Sequence, residues 1–394
     1  MAGALEGIRV LDLSRALAGP FAAMTLGDMG ADVVKIEEPG NGDTTRGFPP
    51  FWNGQSTYFL STNRNKRAIT IDLTRPVGQE IIRRLARDAD ILIESFRAGA
   101  MERWKIGWDE LREINSRLIY CAISAAGREG PDKDRAGVDL LMQAYAGLMS
   151  ITGETGGAPV RTGTSVVDLS TGANAAQGIL AALYVRERTG KGQRIDVSLL
   201  GSTIAWMTYH AVSYFATGEV PQRMGSSHPS VAPYGAFPTR DGFLVVAIAF
   251  DSHWRTFCEA AGSPELAGHP HLETNAARIE NRGLMEETVT SILAERSALE
   301  WASLMDAAGI PCSPIHTLDQ VLELPQALHQ GYVAPVPHPD ISDLRMPGIH
   351  IGFSDTPGSI RLPPPRLGEH NHEVLGEAGY SSSEIDALDN SGVI

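Results

Sequence analysis

Residues 8–37 of the chain read IRVLDLSRALAGPFAAMTLGDMGADVVKIE and give the first indication of the architecture. Mainly apolar runs at 8–13 and 32–37 flank a helical segment at 20–29, with short turns between them. A strand, a helix and a second strand at this spacing are typical of a βαβ unit, in which the two strands are parallel. The stretch therefore predicts the beginning of a parallel sheet that is covered by helices.

The same alternation continues over the first 125 residues. Further strands are predicted at 68–73, 90–94 and 118–124, and a helix at 77–88. We therefore expect an α/β architecture with a Rossmann-like large domain. Ligands of such sheets bind at the carboxyl ends of the strands, so the loops to inspect are those after Leu13, Glu37, Leu73 and Glu94.

The pattern changes in the rest of the chain. Helical periodicity occurs at 138–151, 169–187 and 197–215, a hairpin pairs 235–237 with 243–250, and shorter helices follow at 252–261, 279–294 and 298–308. From residue 325 the chain is rich in Pro and Gly until 367, with a helix at 372–378, and such a segment cannot form its own core. We predict a large domain over 1–218, a small α+β domain over 225–324 and a C-terminal segment over 325–394.

The composition is that of a globular protein, with 43% hydrophobic residues in 394 and a formal net charge of −14. This charge repels polyanions, so no nucleic-acid partner is expected. The stretch 197–218 is long enough to cross a bilayer, but its Ser, Thr and His residues interrupt the apolar character. We expect a buried helix there and no membrane association.

Cysteine usage and the N-terminus bear on the cellular compartment. Cys121, Cys258 and Cys312 are odd in number and far apart, which fits neither a disulfide framework nor a zinc site. Residues 1–8 show no secretory signal. Both observations predict a cytoplasmic location.

The first strand-to-helix turn, at 13–20, reads LSRALAGP. Its small Ala18 and Gly19 would let a ligand approach the backbone, and Pro20 suits the first turn of a helix. A plain connection is the alternative interpretation. Because the chain lacks a G-x-G-x-x-G fingerprint, we expect no nicotinamide cofactor, although Glu37 ends the second strand.

Basic residues cluster near two predicted strands. The segment 63–67 reads NRNKR and leads into the third strand, while Arg97, Arg103 and Lys105 follow the fourth. Cations on loops at one end of a sheet would form an anion site, and Phe96 adds a face on which an adenine could stack. A solvated surface is the alternative interpretation.

Asp168 lies between a short apolar run and a predicted helix. One interpretation is a helix N-cap, which aspartate fills well. The other is a covalent nucleophile at a strand-to-helix corner, beside the small Gly163 and Gly172, and both can hold together. The eleven histidines show no spacing typical of a metal site, and no G-x-S-x-G elbow of a hydrolase occurs, so no metal is expected.

A series of ordered motifs adds a second kind of information. They lie at 10–13 (VLDL), 18–20 (AGP), 30–37 (GADVVKIE), 63–67 (NRNKR), 94–97 (ESFR), 143–144 (QA), 147–149 (GLM), 152–153 (TG), Asp168, 189–193 (TGKGQ), 196–199 (DVSL), 364–365 (PP) and 367–368 (LG). With these blocks the chain resembles, along nearly its whole length, the class III CoA-transferases. That family includes formyl-CoA transferase and the crotonobetaine enzyme of carnitine metabolism.

The resemblance implies a Rossmann-like large domain, a small domain, a C-terminal segment that returns to the large domain, and an interlocked homodimer. It also implies Asp168 as the catalytic nucleophile and coenzyme A, as acyl-CoA, as the bound substrate, without metal or nicotinamide. The residues that it assigns to CoA binding are Arg15, Ala16, Leu17, Ala18, Ile71, Asp72, Leu73, Ser95, Phe96, Arg97, Arg103, Val138 and Asp139.

The reaction implied in this way moves coenzyme A from an acyl-CoA, such as succinyl-CoA, to a free carboxylic or dicarboxylic acid. The aspartate would form a mixed anhydride and then a CoA thioester, and backbone amides after Asp168 would hold the oxyanion. Residues 225–229 would serve as a lid that excludes water.

Two alternative functions stay open at this point. The related α-methylacyl-CoA racemases have a histidine directly before an aspartate where this chain reads Val138-Asp139, and valine cannot move a proton, which favours transfer over racemisation or another isomerisation. A CoA-binding protein without turnover is the second alternative.

Overall fold

The structure is a computed structural model and describes residues 3–394. The strands are β1 (Arg9–Asp12), β2 (Asp32–Glu37), β3 (Phe51–Trp52), β4 (Gln55–Ser56), β5 (Lys66–Thr70), β6 (Ile91–Glu94), β7 (Ile119–Ser124), β8 (Arg194–Ser198), β9 (Tyr234–Pro238), β10 (Phe243–Ala247), β11 (Cys312–Pro314), β12 (Val333–Pro335) and β13 (Arg345–Pro347).

The helices in the first part of the chain are α1 (Ala18–Asp28), α2 (Thr57–Ser61), α3 (Pro76–Ala86), α4 (Ala100–Arg103), α5 (Trp108–Ile114), α6 (Asp139–Tyr145), α7 (Leu148–Ile151), α8 (Val166–Thr189), α9 (Leu199–Trp206) and α10 (Thr208–Thr217). Those that follow are α11 (Asp251–Ala260), α12 (Asn275–Glu280), α13 (Arg282–Leu293), α14 (Ala298–Ala307), α15 (Leu318–Leu322), α16 (Pro325–His329), α17 (Asn371–Glu377) and α18 (Ser382–Asn390). Single 3₁₀ turns lie at Thr44–Gly47 and Pro264–Gly268.

A six-stranded parallel sheet forms the centre of the larger unit, in the order β5-β2-β1-β6-β7-β8. Counted along the chain this order is 3-2-1-4-5-6, which is that of a Rossmann sheet. The order reverses between β1 and β6, and ligands of such sheets bind at the carboxyl ends of the strands on either side of this switch point. The predicted α/β architecture with a parallel sheet is therefore confirmed.

The sixth strand, β8, was not predicted. The helical pattern at 197–215 predicted a helix from Val197. In the structure Val197 lies within β8, and α9 begins at Leu199. Two glycines explain the arrangement. Gly190, with φ 73°, ends α8, and Gly192 lies so close to Leu118 that a Cβ would be 1.9 Å from its carbonyl oxygen. The chain can therefore turn sharply and run alongside β7.

Other predicted boundaries moved by a few residues. The third strand of the sheet is Lys66–Thr70 and not 68–73. The helix predicted at 138–151 is divided into α6 and α7 by Gly147, whose φ of 86° is incompatible with a continuous helix. Within residues 3–394, no helix combines the length and the apolar character needed to cross a bilayer.

The larger compact unit contains the residues up to Ala146 together with Thr162–Val212 and Pro325–Ile394. The C-terminal segment joins its core, because α17 and α18 place Val374, Leu375 and Ile385 among the buried side chains of the parallel sheet. The predicted domain bounds and the interlocked homodimer stay predictions.

The smaller compact unit contains Gly147–Arg161 and Ser213–Leu324. Its antiparallel sheet has the order β11-β10-β9, and the predicted hairpin turns where the Thr239 N–H donates to the Gly242 carbonyl over 2.9 Å. Helices α11 to α14 surround a core that includes Trp254 and Trp301. The short helices predicted for this part of the chain are present.

Candidate active site

Asp168 lies in the first turn of α8, and the structure corrects both local predictions about it. No strand precedes it, since residues 162–165 are irregular and Val166 already belongs to the helix. Ser165 is the N-cap residue, so Asp168 is not the N-cap. The apolar run that suggested a strand is the buried side of the first helical turn, where only Val167 is fully buried.

A neighbouring carboxylate, Asp139, caps α8 instead. Its Oδ1 accepts hydrogen bonds from the N–H groups of Val167, at 2.9 Å, and of Asp168, at 3.3 Å. Gln143 donates to Oδ2 over 2.5 Å and fixes the orientation of the carboxylate. Asp139 thus satisfies two amides that a helix start leaves without a partner.

Main-chain hydrogen bonds at the start of α8 contradict the expected oxyanion site. The Leu169 N–H, the first amide after Asp168, donates to the Ser165 carbonyl over 3.0 Å as part of the helix. The Val166 N–H donates to Thr164. Because the amides on both sides of Asp168 have partners, the prediction that amides after Asp168 hold an oxyanion is wrong.

The Asp168 carboxyl is partly buried and has no cationic partner among the described residues 3–394. Burial, and secondarily the charge of Asp139, raise its pKa to about 7. Within residues 3–394 no cation opposes this shift. Burial and the Asp168 charge likewise raise the pKa of Tyr58, against a hydrogen bond with Ser165. A desolvated carboxylate with a pKa near neutrality is typical of a reactive group.

A cavity of about 430 Å³ borders the first turn of α8, although Asp168 itself is not one of its lining residues. Ser165 and Leu169, on either side of Asp168 in the sequence, form part of its wall. The other lining residues are Leu17, Phe21, Met24, Tyr58, Ser61, Thr62, Arg64, Thr164, Pro347, Gly348 and His350. Mainly apolar walls with a few polar groups are typical of a small-molecule site.

Close packing places the N-terminal part of α8 beside the start of α1. A Cβ on Gly172 would lie 2.4 Å from the Ala18 carbonyl oxygen, so only glycine allows α8 to approach the start of α1 so closely. Leu17 and Ala18, both predicted to contact CoA, are buried at this point. The predicted nucleophile and part of the predicted CoA site therefore lie on adjacent helix ends.

The loops after β1 and β6 meet at the switch point of the sheet. The Arg15 N–H donates to the Ser95 hydroxyl over 2.9 Å, and the Arg15 guanidinium lies 5.1 Å from the centre of the Phe96 ring. Arg97 and Arg103 are exposed and make no ion pair within the described residues. These five predicted CoA residues, with Ala16 in the same turn, lie where a Rossmann sheet binds its ligand.

The remaining predicted CoA residues are placed less favourably. The side chains of Ile71 and Leu73 are buried in the core, so only their main chain could contact a ligand. The Asp72 carboxylate accepts hydrogen bonds from Thr74, and Asp139 is used as the helix cap described above. Val138 is 60% exposed, directly before α6.

The basic segment 63–67 is not an anion site, so that interpretation is wrong. Arg64 forms a buried pair with Asp28, and Lys66 forms one with Asp12. Arg67 pairs with Asp32 and with two glutamates of α17. The segment enters β5 at its amino end, away from the carboxyl edge, and its charges neutralise carboxylates within the unit.

Sequence reasoning missed three polar residues near the site, namely Lys35, Asp43 and Tyr58. Lys35 had a visible signal, since a lysine inside the apolar strand VVKIE of a sheet covered on both faces must find a buried counter-charge.

Among residues 3–394, no group of His, Cys, Asp or Glu side chains could hold a metal ion.

Comparison with known proteins adds independent information. The model of CoA-transferase family III matches residues 5–371. The chain is 41% identical over 392 residues to a succinyl-CoA:glutarate CoA-transferase of Mus musculus, covering 99% of this chain and 90% of that protein. It is 37% identical over 382 residues to a succinate–glutarate CoA-transferase of Agrobacterium fabrum, covering 95% of each. A CAIB/BAIF family protein from Brucella suis has a similar structure, with a TM-score of 0.85, 34% identity, and coverage of 96% of this chain and all of that one.

Proposed function

The chain belongs to CoA-transferase family III, and we propose that it moves coenzyme A from succinyl-CoA, or a similar acyl-CoA, to a free dicarboxylic acid of the glutarate type. The relatives described above are named for CoA transfer between such acids. The chain is therefore an acyl-CoA:carboxylate CoA-transferase, and the choice of acids is the finer part of the proposal.

We further propose Asp168 as the covalent nucleophile. One observation carries this assignment: the partly buried Asp168 carboxyl has a pKa raised to about 7, which no cation among residues 3–394 opposes, and its helical neighbours Ser165 and Leu169 line a cavity of about 430 Å³. A carboxylate held out of water attacks a carbonyl carbon more readily, since it has less hydration to lose.

The proposed reaction begins when the Asp168 carboxylate attacks the acyl-CoA carbonyl carbon and the CoA thiolate leaves. The product is a mixed anhydride between Asp168 and the donor acid. The thiolate then attacks the aspartyl carbonyl carbon, which releases the donor acid and leaves CoA bound to Asp168 as a thioester.

The acceptor acid completes the cycle by the same two steps in reverse order. Its carboxylate attacks the aspartyl thioester, releases the CoA thiolate and forms a second anhydride. The thiolate attacks the acceptor's carbonyl carbon, so that a new acyl-CoA leaves and the Asp168 carboxylate returns. The thioester bond energy is kept throughout, and the cycle needs neither ATP nor a metal ion.

The pantetheine end of CoA would reach Asp168 from the switch point of the sheet. The turn at 15–18 and the loop at 95–97 would contact the ligand, with Arg97 and Arg103 as free cations for its phosphates. The cavity beside the first turn of α8 would hold the acyl chain, with the Tyr58 hydroxyl among the donors for a carboxylate.

A homodimer, a lid at 225–229 and a cytoplasmic location stay predictions.

Trapping the enzyme adduct tests the nucleophile. After incubation with succinyl-CoA and rapid quenching, peptide mass analysis should find the added mass on the peptide 162–186, which contains Asp168. Asp168→Asn should fold, bind CoA and lose transfer by about a thousandfold or more, as expected for a missing nucleophile. Asp109→Asn, on the surface at α5, is the matched control and should keep both adduct and activity.

Label exchange separates the proposal from its alternatives. A transferase exchanges a labelled acid into the CoA ester, a racemase exchanges only the α-hydrogen, and a binding protein does neither. Full transfer activity in Asp168→Asn, or an adduct confined to another residue, would contradict the assignment of Asp168.

A further inference from the structure

The turn after β1 has a backbone conformation that its residues do not favour. Ala16 has a φ of 66°, in the left-handed region that is unfavourable for a residue with a Cβ. Such a conformation persists only where surrounding contacts determine it, and residues of this kind cluster at ligand sites. The contacts that hold Ala16 therefore determine the conformation of the turn.

Side chains from elsewhere in the unit hold the main chain of this turn. The Ala16 N–H donates to Asp43 Oδ1 over 3.4 Å, and the Arg15 N–H donates to the Ser95 hydroxyl. Asp43 is itself fixed, because the same oxygen accepts two hydrogen bonds from Thr45. Neither Asp43 nor Ser95 is close to the turn in sequence.

Lys35 joins these contacts from the middle of β2. Its Nζ donates to the Ser14 carbonyl over 3.1 Å and to Asp43 Oδ2 over 3.0 Å. One ammonium group therefore holds Ser14, directly before the turn 15–18, and it also holds the carboxylate that binds the Ala16 N–H. Lys35 is fully buried and cannot touch a ligand itself.

We propose that Lys35 is a positioning residue for acyl-CoA: by joining the Ser14 carbonyl to Asp43, it keeps Ala16 in the left-handed conformation that presents the turn 15–18 to the ligand. The inference rests on the proposed function, since it takes this turn as a CoA contact. It assigns to Lys35 a role that is distinct from stabilising the fold.

The charge state of Lys35 supports a constant role over the working pH range. Burial disfavours its ammonium form, but the carboxylates of Asp12 and Asp43 outweigh burial and raise the pKa of Lys35 above its usual value. The three hydrogens of an ammonium group can bind a carbonyl and a carboxylate at once, and no neutral side chain of this length offers that.

Lys35→Met tests the proposal, because it keeps the length of the side chain and removes its donors. The dissociation constant of CoA, measured by calorimetry, and the KM for succinyl-CoA should both rise by about tenfold or more, while kcat changes by less than about threefold. A rise in KM without a fall in kcat is expected when ligand contacts are loosened and the reacting group is untouched.

A double variant separates positioning from stability. Lys35→Met leaves the Asp43 carboxylate buried and unpaired, which by itself lowers the melting temperature. Lys35→Met combined with Asp43→Asn removes both charges and should recover much of the lost melting temperature, yet the weak CoA binding should remain. If CoA binding recovers together with stability, Lys35 is only structural and the proposal is overturned.

Arg186→Met is the matched control for losing a buried cation. Arg186 is 2% exposed and its Nη1 lies 2.8 Å from Asp90, near the far end of α8 from Asp168. This variant should melt at a lower temperature with an unchanged KM. An unchanged KM in Lys35→Met would overturn the inference alone, whereas a wild-type protein that binds no CoA would refute the proposed function.

Discussion

Asp12 and Asp168 are two buried or partly buried carboxylates of the same unit with opposite surroundings. Asp12 is fully buried at the end of β1, and Lys66 donates to it over 2.9 Å. Burial alone would raise the pKa of Asp12, but the charges of Lys66 and Lys35 outweigh it and hold the pKa below its usual value. For Asp168, burial and the charge of a neighbouring carboxylate, Asp139, raise the pKa to about 7, and no cation among residues 3–394 opposes them.

This difference separates a structural carboxylate, Asp12, from the proposed nucleophile, Asp168. A paired carboxylate is held by its cation and cannot leave it without a large loss of stability. An unpaired carboxylate keeps its lone pairs available, and in the absence of substrate its buried charge destabilises the folded protein. In this unit Asp12, which pairs with Lys66, also accepts a hydrogen bond from the Ser14 N–H over 3.0 Å and so helps to hold the turn after β1. Asp168 instead lies between Ser165 and Leu169, which line the cavity.

Glu94 shows that a raised pKa is not sufficient. Burial raises its pKa to about 7 although Arg128 forms an ion pair with it. Glu94 is nevertheless fully buried and accepts a hydrogen bond from the Phe96 N–H over 2.7 Å, so it holds the loop after β6. Asp168 differs in two ways: no cation among residues 3–394 opposes its pKa shift, and its neighbours Ser165 and Leu169 line a cavity.

The largest effect on stability is expected when Asp12 loses the cation with which it pairs, Lys66. Lys66→Met leaves Asp12 buried without its partner and should lower the free energy of unfolding by about 3–5 kcal/mol. Urea unfolding followed by circular dichroism measures this change. Lys191→Met, at an exposed position, is the control and should change stability by less than about 0.5 kcal/mol. A small effect of Lys66→Met would mean that Asp12 does not depend on its cation.

Replacement of the proposed nucleophile should change stability in the opposite direction. Asp168→Asn removes a charge that folding desolvates, so at pH 8 it should raise the free energy of unfolding by about 1–3 kcal/mol. The folded pKa of Asp168, about 7, lies above the unfolded value of 3.8, so the destabilisation by the charge grows as the pH rises from 4 to 7. The gain measured in urea should therefore be smaller at pH 5 than at pH 8.

The paired carboxylate provides the matched control for this measurement. Asp12→Asn should destabilise the protein at pH 8, because it leaves the Lys66 ammonium buried with one charge partner fewer. If both asparagine variants lose stability to the same extent, the proposed distinction between the two carboxylates is wrong.

The smallest expected effect is a shift in the apparent pKa that governs adduct formation at Asp168. The single-turnover rate of adduct formation should rise about tenfold per pH unit below pH 7 and level off above it, because only the ionised Asp168 attacks. Asp139→Asn removes the neighbouring like charge and should lower the apparent pKa by less than about one unit, since burial is the larger cause. An apparent pKa that stays the same or rises would contradict this account.

Much of the fold was predictable because its signals are local. The apolar runs and helical segments between residues 8 and 124 predicted the first five strands of the sheet to within three residues at each end. Asp168 was recognised from its place in an ordered series of family motifs. Its neighbours in sequence did not show whether it caps a helix or attacks a substrate.

Hydrophobic periodicity and motif order, which the sequence carries residue by residue, determined the α/β class, the family and the candidate nucleophile. The tertiary structure alone decided what each charge does. It placed Lys66 against Asp12, 54 residues away along the chain, and Asp139 on the first amides of α8. Ion pairs and caps act over a few ångströms and depend on burial, and neither property is written in the residues beside a charge. For this reason a basic segment that suggested a phosphate site proved to be a set of buried ion pairs.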